Sequence, residues 1–363
     1  MGEIKFSAAI LSGEQSSRFK MTLRAIESLN NQTYPNIEKI LVNGNNPPHQ
    51  TETLIELGAN LKGWKIVDFP VDAMSIDPDS QLSHHLTGQA ALLNSTGDYF
   101  FSMNDDDLIG ETYFANFSKL FQAYPKAITG MSLVAPYYHD LGISGEVHLP
   151  HDKHGDPRPV IESGLDVVRK IFTNRNQDYQ VTLGVQPILR IDYAADVKNY
   201  LFGPGGFPDT STYFQVVMRG EAVFSYESIF YWGRHNRRQS SFYSDKHFWT
   251  AICKKDFLNF SEVNIKIIER NFPLMNRDKK MIKHHFRRQL IESSALALFK
   301  FSKSIFSAEI KSERNASNLR ITKGKYILKF PFFEHFKICF LHPILLVKSI
   351  NYLLRLKVSN WNL

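Results

Sequence analysis

The hydrophobic and polar positions in the first hundred residues follow two alternating patterns. Short apolar runs at residues 5–11, 37–42 and 64–69 predict buried strands. Residues 18–31 carry apolar side chains every three or four positions, which predicts an amphipathic helix, and residues 51–57 predict a second helix. Strands that alternate with helices in this way predict a parallel sheet with helices packed on both faces.

A fourth apolar run, at residues 99–102, ends in a cluster of polar side chains. This cluster consists of an asparagine and three consecutive carboxylates: Asn104, Asp105, Asp106 and Asp107. Ligands bind beyond the carboxyl ends of parallel strands, and Asn43 ends the second strand at the same edge. Adjacent carboxylates repel one another unless a cation lies among them, and oxygen ligands suit Mg²⁺ or Mn²⁺. The alternative is a solvated acidic turn that caps the next helix.

Composition places the chain among globular proteins. Its 363 residues are 43% hydrophobic and 13% aromatic, which is enough for a substantial core. The two cysteines, Cys253 and Cys339, form neither a disulfide framework nor a metal-ligand pattern, as is typical of a reducing compartment. We find no secretory signal pattern and no apolar stretch of transmembrane length, and therefore expect a cytoplasmic protein.

The net charge of +7 is unevenly distributed. Residues 1–245 contain 20 Lys and Arg against 28 Asp and Glu, a net −8, whereas residues 246–363 contain 23 against 8, a net +15. We predict a catalytic domain at 1–245 and a basic, mainly helical region at 246–363. Residues 336–358 suit an amphipathic helix on an anionic membrane surface. Packing against the first domain or against a second copy in a homo-oligomer is an equal alternative.

Four segments, in order along the chain, resemble family 2 glycosyltransferases, which are nucleotide-sugar-dependent enzymes. Residues 25–42, with their Gln-Thr-Tyr-Pro sequence, resemble the first helix and second strand of that family. Residues 96–108 resemble the acidic segment that holds the metal and the donor. Residues 205–209 stand in the place of the catalytic-base motif, and residues 231–241 resemble the end of the catalytic domain.

The resemblance implies a GT-A fold, a Rossmann-like mixed sheet flanked by helices, here with a C-terminal helical extension. It implies a metal-dependent, inverting glycosyltransferase of the hexosyltransferase type. Such an enzyme moves a sugar from a nucleotide-diphosphate donor to a hydroxyl of a glycan or lipid-linked acceptor. The expected process is the biosynthesis of a surface polysaccharide such as capsule, O-antigen or lipopolysaccharide, on the inner face of the plasma membrane as a peripheral protein.

The same resemblance implies roles for individual residues. Asp209 would be the catalytic base, although it also suits the N-cap of a helix at residues 213–218. Mn²⁺ or Mg²⁺ would be held by Asp106, Asp107 and His235. The donor would be bound by side chains at the strand ends and in the basic loop: Ser12, Glu14, Asn43, Asp105, Asp106, Arg234, Arg237 and Arg238.

Two positions depart from the family pattern. Asn43 stands where the family has an aspartate that contacts the nucleotide base, and Asn104 stands where it has the first carboxylate of the acidic segment. The second departure makes Asp106 the principal candidate for direct contact with the metal.

A stretch with four histidines, residues 137–158, resembles a metal cluster at first. These are His139, His148, His151 and His154. The prolines and glycines between them, and the absence of a paired metal-ligand spacing, favour a mobile loop on the acceptor side.

Two other functions also fit parts of the sequence. One is a non-catalytic protein that binds a membrane or nucleic acid through residues 246–363. No RNA-binding or helix-turn-helix signature supports nucleic acid, so we expect no such partner. The other is a metal-dependent nucleotidyltransferase, which would also use clustered carboxylates but leaves the Gln-Thr-Tyr-Pro sequence unexplained.

Overall fold

The computed structural model describes a defined part of the chain. The described ranges are 2–12, 18–44, 54–68, 82–149, 157–173, 187–195 and 216–234, with short pieces between 265 and 284. By internal contacts the chain divides into one unit of residues 1–241 and 263–278 and another of residues 242–262 and 279–363. The predicted division at residue 245 lies outside the described ranges and stays a prediction.

The first half of the described chain confirms the predicted alternation. Residues 54–57 are helical as expected, and each predicted strand is present to within one or two residues at either end. The elements are β1 (Phe6–Ser12), α1 (Phe19–Asn30), β2 (Ile37–Asn43), β3 (Lys65–Asp68), α2 (Leu82–Leu93) and β4 (Tyr99–Asn104).

The second half contains longer strands mixed with very short ones. The elements are β5 (Leu108–Ile109), α3 (Tyr113–Ala123), β6 (Ala127–Tyr138), β7 (Ile143–Ser144), β8 (Ile161–Ser163), α4 (Gly164–Thr173), β9 (Ile188–Arg190), α5 (Ile191–Ala195) and β10 (Glu221–Arg234). The predicted loop at residues 137–158 begins instead as a hairpin of β6 and β7. Gly142, with a φ of 68°, allows the tight turn.

The strands form one mixed sheet in the order β3-β2-β1-β4-β9-β6-β10-β5, with β7 beside β6 and β8 beside β10. The strands β3, β2, β1 and β4 are parallel, as predicted. Beyond β4 the sheet is mixed, as the resemblance to the GT-A fold implies, because the short strand β9 runs antiparallel to both β4 and β6. Two reversals leave β4, β6 and β10 pointing the same way. The carboxyl ends of the long strands therefore meet at one edge.

The core lies on both sides of β1, whose seven residues are all buried. Helix α2 packs against β1 and β2. On the side of α1 and α3, an aromatic cluster fills the space between helices and sheet. Within it the rings of Tyr99 and Phe121 stack at 3.8 Å, and the Tyr99 hydroxyl donates to the Ala127 carbonyl at 3.0 Å. Burial raises the pKa of Tyr99 to about 12.

The Gln-Thr-Tyr-Pro sequence after α1 has a structural role. The Gln32 amide donates to the Gly110 carbonyl at 2.8 Å, and its oxygen accepts from the Phe114 N–H at 3.3 Å. The Tyr34 hydroxyl donates to the Ile4 carbonyl at 2.5 Å. This segment therefore ties the end of α1 to Gly110 and to the start of α3, shortly after the three carboxylates.

Glu38 on β2 forms hydrogen bonds that hold the turn before β4. These bonds lie where β1 and β2 begin, at the opposite edge of the sheet from the acidic segment. Its Oε2 accepts from the Ser7 hydroxyl at 2.5 Å and from the Thr96 N–H at 2.8 Å. Its Oε1 accepts from the Thr96 hydroxyl at 2.9 Å. Burial alone raises the pKa of Glu38, but these hydrogen bonds outweigh burial and lower it.

We expect Glu38→Gln to reduce the free energy of unfolding at pH 7 by about 0.5–1 kcal/mol, because the charged acceptor is lost but water screens a partly exposed carboxylate. A carboxyl whose pKa is lowered by folding stabilises above its unfolded-state pKa, and this contribution disappears as the pH falls through its folded-state pKa. Urea unfolding should therefore show a gap between wild type and variant that narrows in acid. Glu56→Gln, at an exposed residue, is the control. A gap that is constant with pH would contradict this role.

Candidate functional site

The three carboxylates after β4 are buried. Asp105, Asp106 and Asp107 are 1%, 8% and 2% exposed. The helix that follows, α3, begins only at Tyr113 and has no acidic residue in its first turn. The alternative of a solvated acidic helix cap is therefore wrong, and the charge of these side chains must be balanced inside the protein.

Arg18, the residue before α1, supplies a cation to this cluster. Its Nη2 lies 2.6 Å from Asp105 Oδ1 and 3.0 Å from Asp106 Oδ1, and the residue is only 6% exposed. Burial alone lowers the pKa of Arg18, but attraction to the three aspartates and the hydrogen bond to Asp106 outweigh burial and raise it. The interpretation of the sequence missed this residue. An arginine at a helix N-terminus, where the helix dipole favours carboxylates, was the available signal.

Asp107 connects the acidic segment to the end of β10. Its Oδ1 accepts from the Gly233 N–H at 3.0 Å, and its Oδ2 accepts from the Asn104 N–H at 3.3 Å. The Asp107 N–H donates in turn to the Asn104 carbonyl at 3.1 Å. These bonds close a tight turn and hold it against β10, so Asp107 has a clear structural role in addition to the metal contact predicted for it.

Close packing at Gly233 sets the distance between β10 and the acidic segment. A Cβ atom at this position would lie 1.8 Å from the Asp106 carbonyl oxygen. Gly233 is followed by Arg234, whose guanidinium stacks 3.5 Å above the centre of the Trp232 ring. Of the basic residues predicted to bind the donor, Arg234 is thus brought to the same edge as the carboxylates.

His139, directly after β6, contacts the acidic segment, the end of β10 and Arg24 on α1. From the sequence we did not place His139 at this site. The ring Nε2 of His139 lies 2.7 Å from the Asp106 carbonyl oxygen. The backbone N–H of His139 donates to the Arg234 carbonyl at 3.0 Å. A carbonyl oxygen only accepts, so Nε2 carries the proton. Nδ1 is then an acceptor that faces Arg24 Nη1 at 3.4 Å, while the same nitrogen of Arg24 donates to the His139 carbonyl at 3.3 Å.

The ends of β1 and β2 complete this edge. Ser12 and Asn43 are paired in register, and both are buried. The Asn43 amide donates to Asp68 Oδ1 at 3.2 Å. Asp68 ends the neighbouring strand β3. The structure therefore places a carboxylate beside Asn43, which stands where the family has an aspartate. Asp68 was not among the predicted site residues.

Five of the predicted site residues lie outside the described ranges. They are Glu14, Asp209, His235, Arg237 and Arg238. The catalytic-base and metal roles assigned among them therefore stay predictions.

Of the three carboxylates, Asp106 is the most exposed and is the principal candidate for the predicted metal contact. Asp105 is almost fully buried, and both oxygens of Asp107 accept backbone N–H groups. Within the described ranges, no three His, Cys, Asp or Glu side chains are grouped so that they could hold a metal ion. Mg²⁺ is commonly held by one or two carboxylates together with substrate phosphates. The metal contact of Asp106 therefore stays a prediction, and an ion there would need ligands in addition to the described side chains.

Comparison with solved structures shows the fold. TarS of S. aureus matches with a TM-score of 0.51 and 14% identity over 79% of this chain and 44% of the TarS chain. TarS 1–349 in complex with UDP-GlcNAc matches with a TM-score of 0.50 and 15% identity over 78% of this chain and 71% of that one. The chain therefore has the mixed α/β fold of GT-A glycosyltransferases. It spans less than half of the longer TarS chain.

Sequence comparison adds no family assignment. No family model matches the chain, and no curated protein matches it.

We expect Gly233→Ala to force β10 away from the acidic segment, because the new methyl group overlaps the Asp106 carbonyl. The free energy of unfolding should fall by about 1–3 kcal/mol or more. Thermal and urea unfolding measure this effect. Gly110→Ala is the control, since a Cβ there would lie an ordinary 3.7 Å from the Ile229 carbonyl. Equal effects of both substitutions would contradict the role given to Gly233.

Proposed function

We propose that this protein is a glycosyltransferase that transfers a sugar from a nucleotide-diphosphate donor to a hydroxyl group. The observation that supports this proposal is the buried acidic segment, balanced by Arg18 and held against the end of β10, at the carboxyl edge of a GT-A sheet. The TarS structure with UDP-GlcNAc makes that nucleotide sugar the first donor to test. The proposed acceptor is a growing glycan or a lipid-linked glycan of a surface polysaccharide.

Transfer breaks the bond between the sugar and a diphosphate oxygen, which leaves with negative charge. Cations fixed around that oxygen lower the barrier. A divalent ion bound by Asp106, with His235 as a further ligand, would neutralise part of that charge. Arg234 and the adjoining Arg237 and Arg238 would donate hydrogen bonds to phosphate oxygens.

Asp209 would act as the general base. As the acceptor hydroxyl attacks the anomeric carbon, its proton passes to the Asp209 carboxylate. Attack from the face opposite to the diphosphate inverts the configuration at that carbon. This assignment is supported by the position of Asp209 in the resemblance to family 2 enzymes.

The nucleotide base would meet the ends of β2 and β3. Asn43 and Asp68 are hydrogen-bonded there, and Asp68 is exposed whereas Asn43 is buried. The Asp68 carboxylate is therefore available to accept a hydrogen bond from an N–H group of the base.

We also propose that residues 246–363, with a net charge of +15, contact an anionic membrane surface that presents the acceptor. In the portion of the chain that the structure describes, no helix combines the length and the apolar character needed to cross a membrane. Contact through basic side chains at the surface is the form of attachment that the charge supports.

The donor is tested by incubation with Mn²⁺ and a panel of nucleotide sugars, with release of the nucleoside diphosphate as the readout. We expect Asp106→Asn and Asp209→Asn to lower turnover by about 10²–10⁴-fold. Asp192→Asn is the control, because Asp192 is an exposed residue that pairs with Arg190. No release with any donor, or wild-type rates in both site variants, would refute the proposal.

Membrane contact is tested by sedimentation with vesicles. The full chain should bind vesicles that contain phosphatidylserine, and binding should fall as salt is added. Replacing Lys337, Lys348, Arg355 and Lys357 with Gln should weaken binding at least tenfold, at about 1 kcal/mol per charge. The matched control replaces four exposed lysines of the first unit: Lys20, Lys62, Lys119 and Lys126. Equal losses in the two variants would contradict a specific role for residues 336–358.

A further inference from the structure

Arg18 has a hydrogen-bond donor that its ion pairs do not use. A guanidinium group offers five N–H donors. One nitrogen, Nη2, contacts both Asp105 and Asp106. The Nε atom is buried, and no acceptor for it is present among the described residues. Buried donors are almost always satisfied in native proteins, so an acceptor from a ligand is the simplest explanation.

We propose that Arg18 binds a phosphoryl oxygen of the donor's diphosphate. This inference rests on the proposed function and assigns Arg18 a role that neither the sequence motifs nor the fold comparison gives it. The site at the carboxyl edge of the sheet is where a ligand of this fold class binds. A diphosphate supplies several charged oxygens, which are the strongest acceptors for guanidinium N–H groups.

The carboxylates around Arg18 prepare it for this task. Asp105 and Asp106 hold Nη2 from one side and keep the guanidinium charged, so its orientation is set before any ligand arrives. In return, Arg18 offsets part of the negative charge that would repel a diphosphate. Without Arg18, a bound divalent ion would have to balance both the phosphates and the full charge of Asp105 and Asp106.

This arrangement has a measurable consequence for the metal requirement. Because Arg18 is a permanent cation at Asp106, part of the attraction for the diphosphate persists when divalent ions are removed. A residue that served only as a structural partner of the two aspartates would not change how nucleotide affinity depends on metal.

The test is calorimetric titration of the full chain with UDP, GDP and dTDP, in Mn²⁺ and in EDTA. We expect wild type to retain measurable affinity for one nucleotide in EDTA. Arg18→Gln should lower that affinity at least tenfold in EDTA and by a smaller factor in Mn²⁺. Arg18→Lys keeps the charge but lacks the Nε donor, and should give an intermediate loss in EDTA.

Two further variants separate phosphate binding from loss of a buried ion pair. Arg18→Gln combined with Asp105→Asn removes both partners, so it folds without an unpaired buried carboxylate at residue 105. It should still show the loss in EDTA. Arg169→Gln is the matched control, because Arg169 on α4 pairs with the buried Asp278, which is not part of the acidic segment. It should leave nucleotide affinity unchanged.

Three results would overturn the inference. They are unchanged affinity in folded Arg18→Gln, recovery of wild-type affinity in the double variant, and an equal loss in EDTA and Mn²⁺. The last two would make Arg18 a structural counter-ion. These results leave the proposed function intact as long as wild type binds a nucleotide in Mn²⁺. Failure of wild type to bind any of the three nucleotides would instead refute the proposed function, and the inference with it.

Discussion

The ion pairs of Arg18 with Asp105 and Asp106 are the interaction around which the site is built. Moving a carboxylate out of water costs several kcal/mol unless a partner compensates, and this protein buries three in succession. Arg18 compensates two of them through Nη2. The third, Asp107, is held by backbone N–H groups of Gly233 and Asn104. Removing any one partner would leave buried charge that the others cannot balance.

The architecture brings these partners together because its long strands point the same way. The antiparallel strand β9 separates β4 from β6 without changing their common direction, so the ends of β4, β6 and β10 meet at one edge. His139, at the end of β6 (Ala127–Tyr138), can then reach the Asp106 carbonyl. At the other end of α1 from Arg18, the Gln32 hydrogen bonds tie the helix to Gly110 and Phe114.

The arrangement also changes what the clustered carboxylates do. A row of three aspartates resembles a set of metal ligands, yet two of the three are engaged mainly within the protein. Asp106 is the most exposed of the three, at 8%, and its backbone carbonyl is fixed by His139. Under the proposed function, this site would offer one carboxylate and one guanidinium to a diphosphate, in place of a purely acidic surface. Arg18 and a bound ion would then share the balance of charge with the ligand.

The sequence by itself determined the first four long strands, the helix that follows β1 and the position of the acidic segment, because apolar runs and helical spacing are local properties. Two-residue strands such as β5 and β7 are too short to show an alternation of apolar and polar residues. Their formation depends on pairing with β10 and β6. Arg18, His139 and Asp68 joined the site only in the tertiary structure, since their partners lie tens of residues away along the chain. Only the tertiary structure shows that the three carboxylates are buried. Because water is excluded from them, their charge is balanced by Arg18 and by backbone N–H groups and not by solvent.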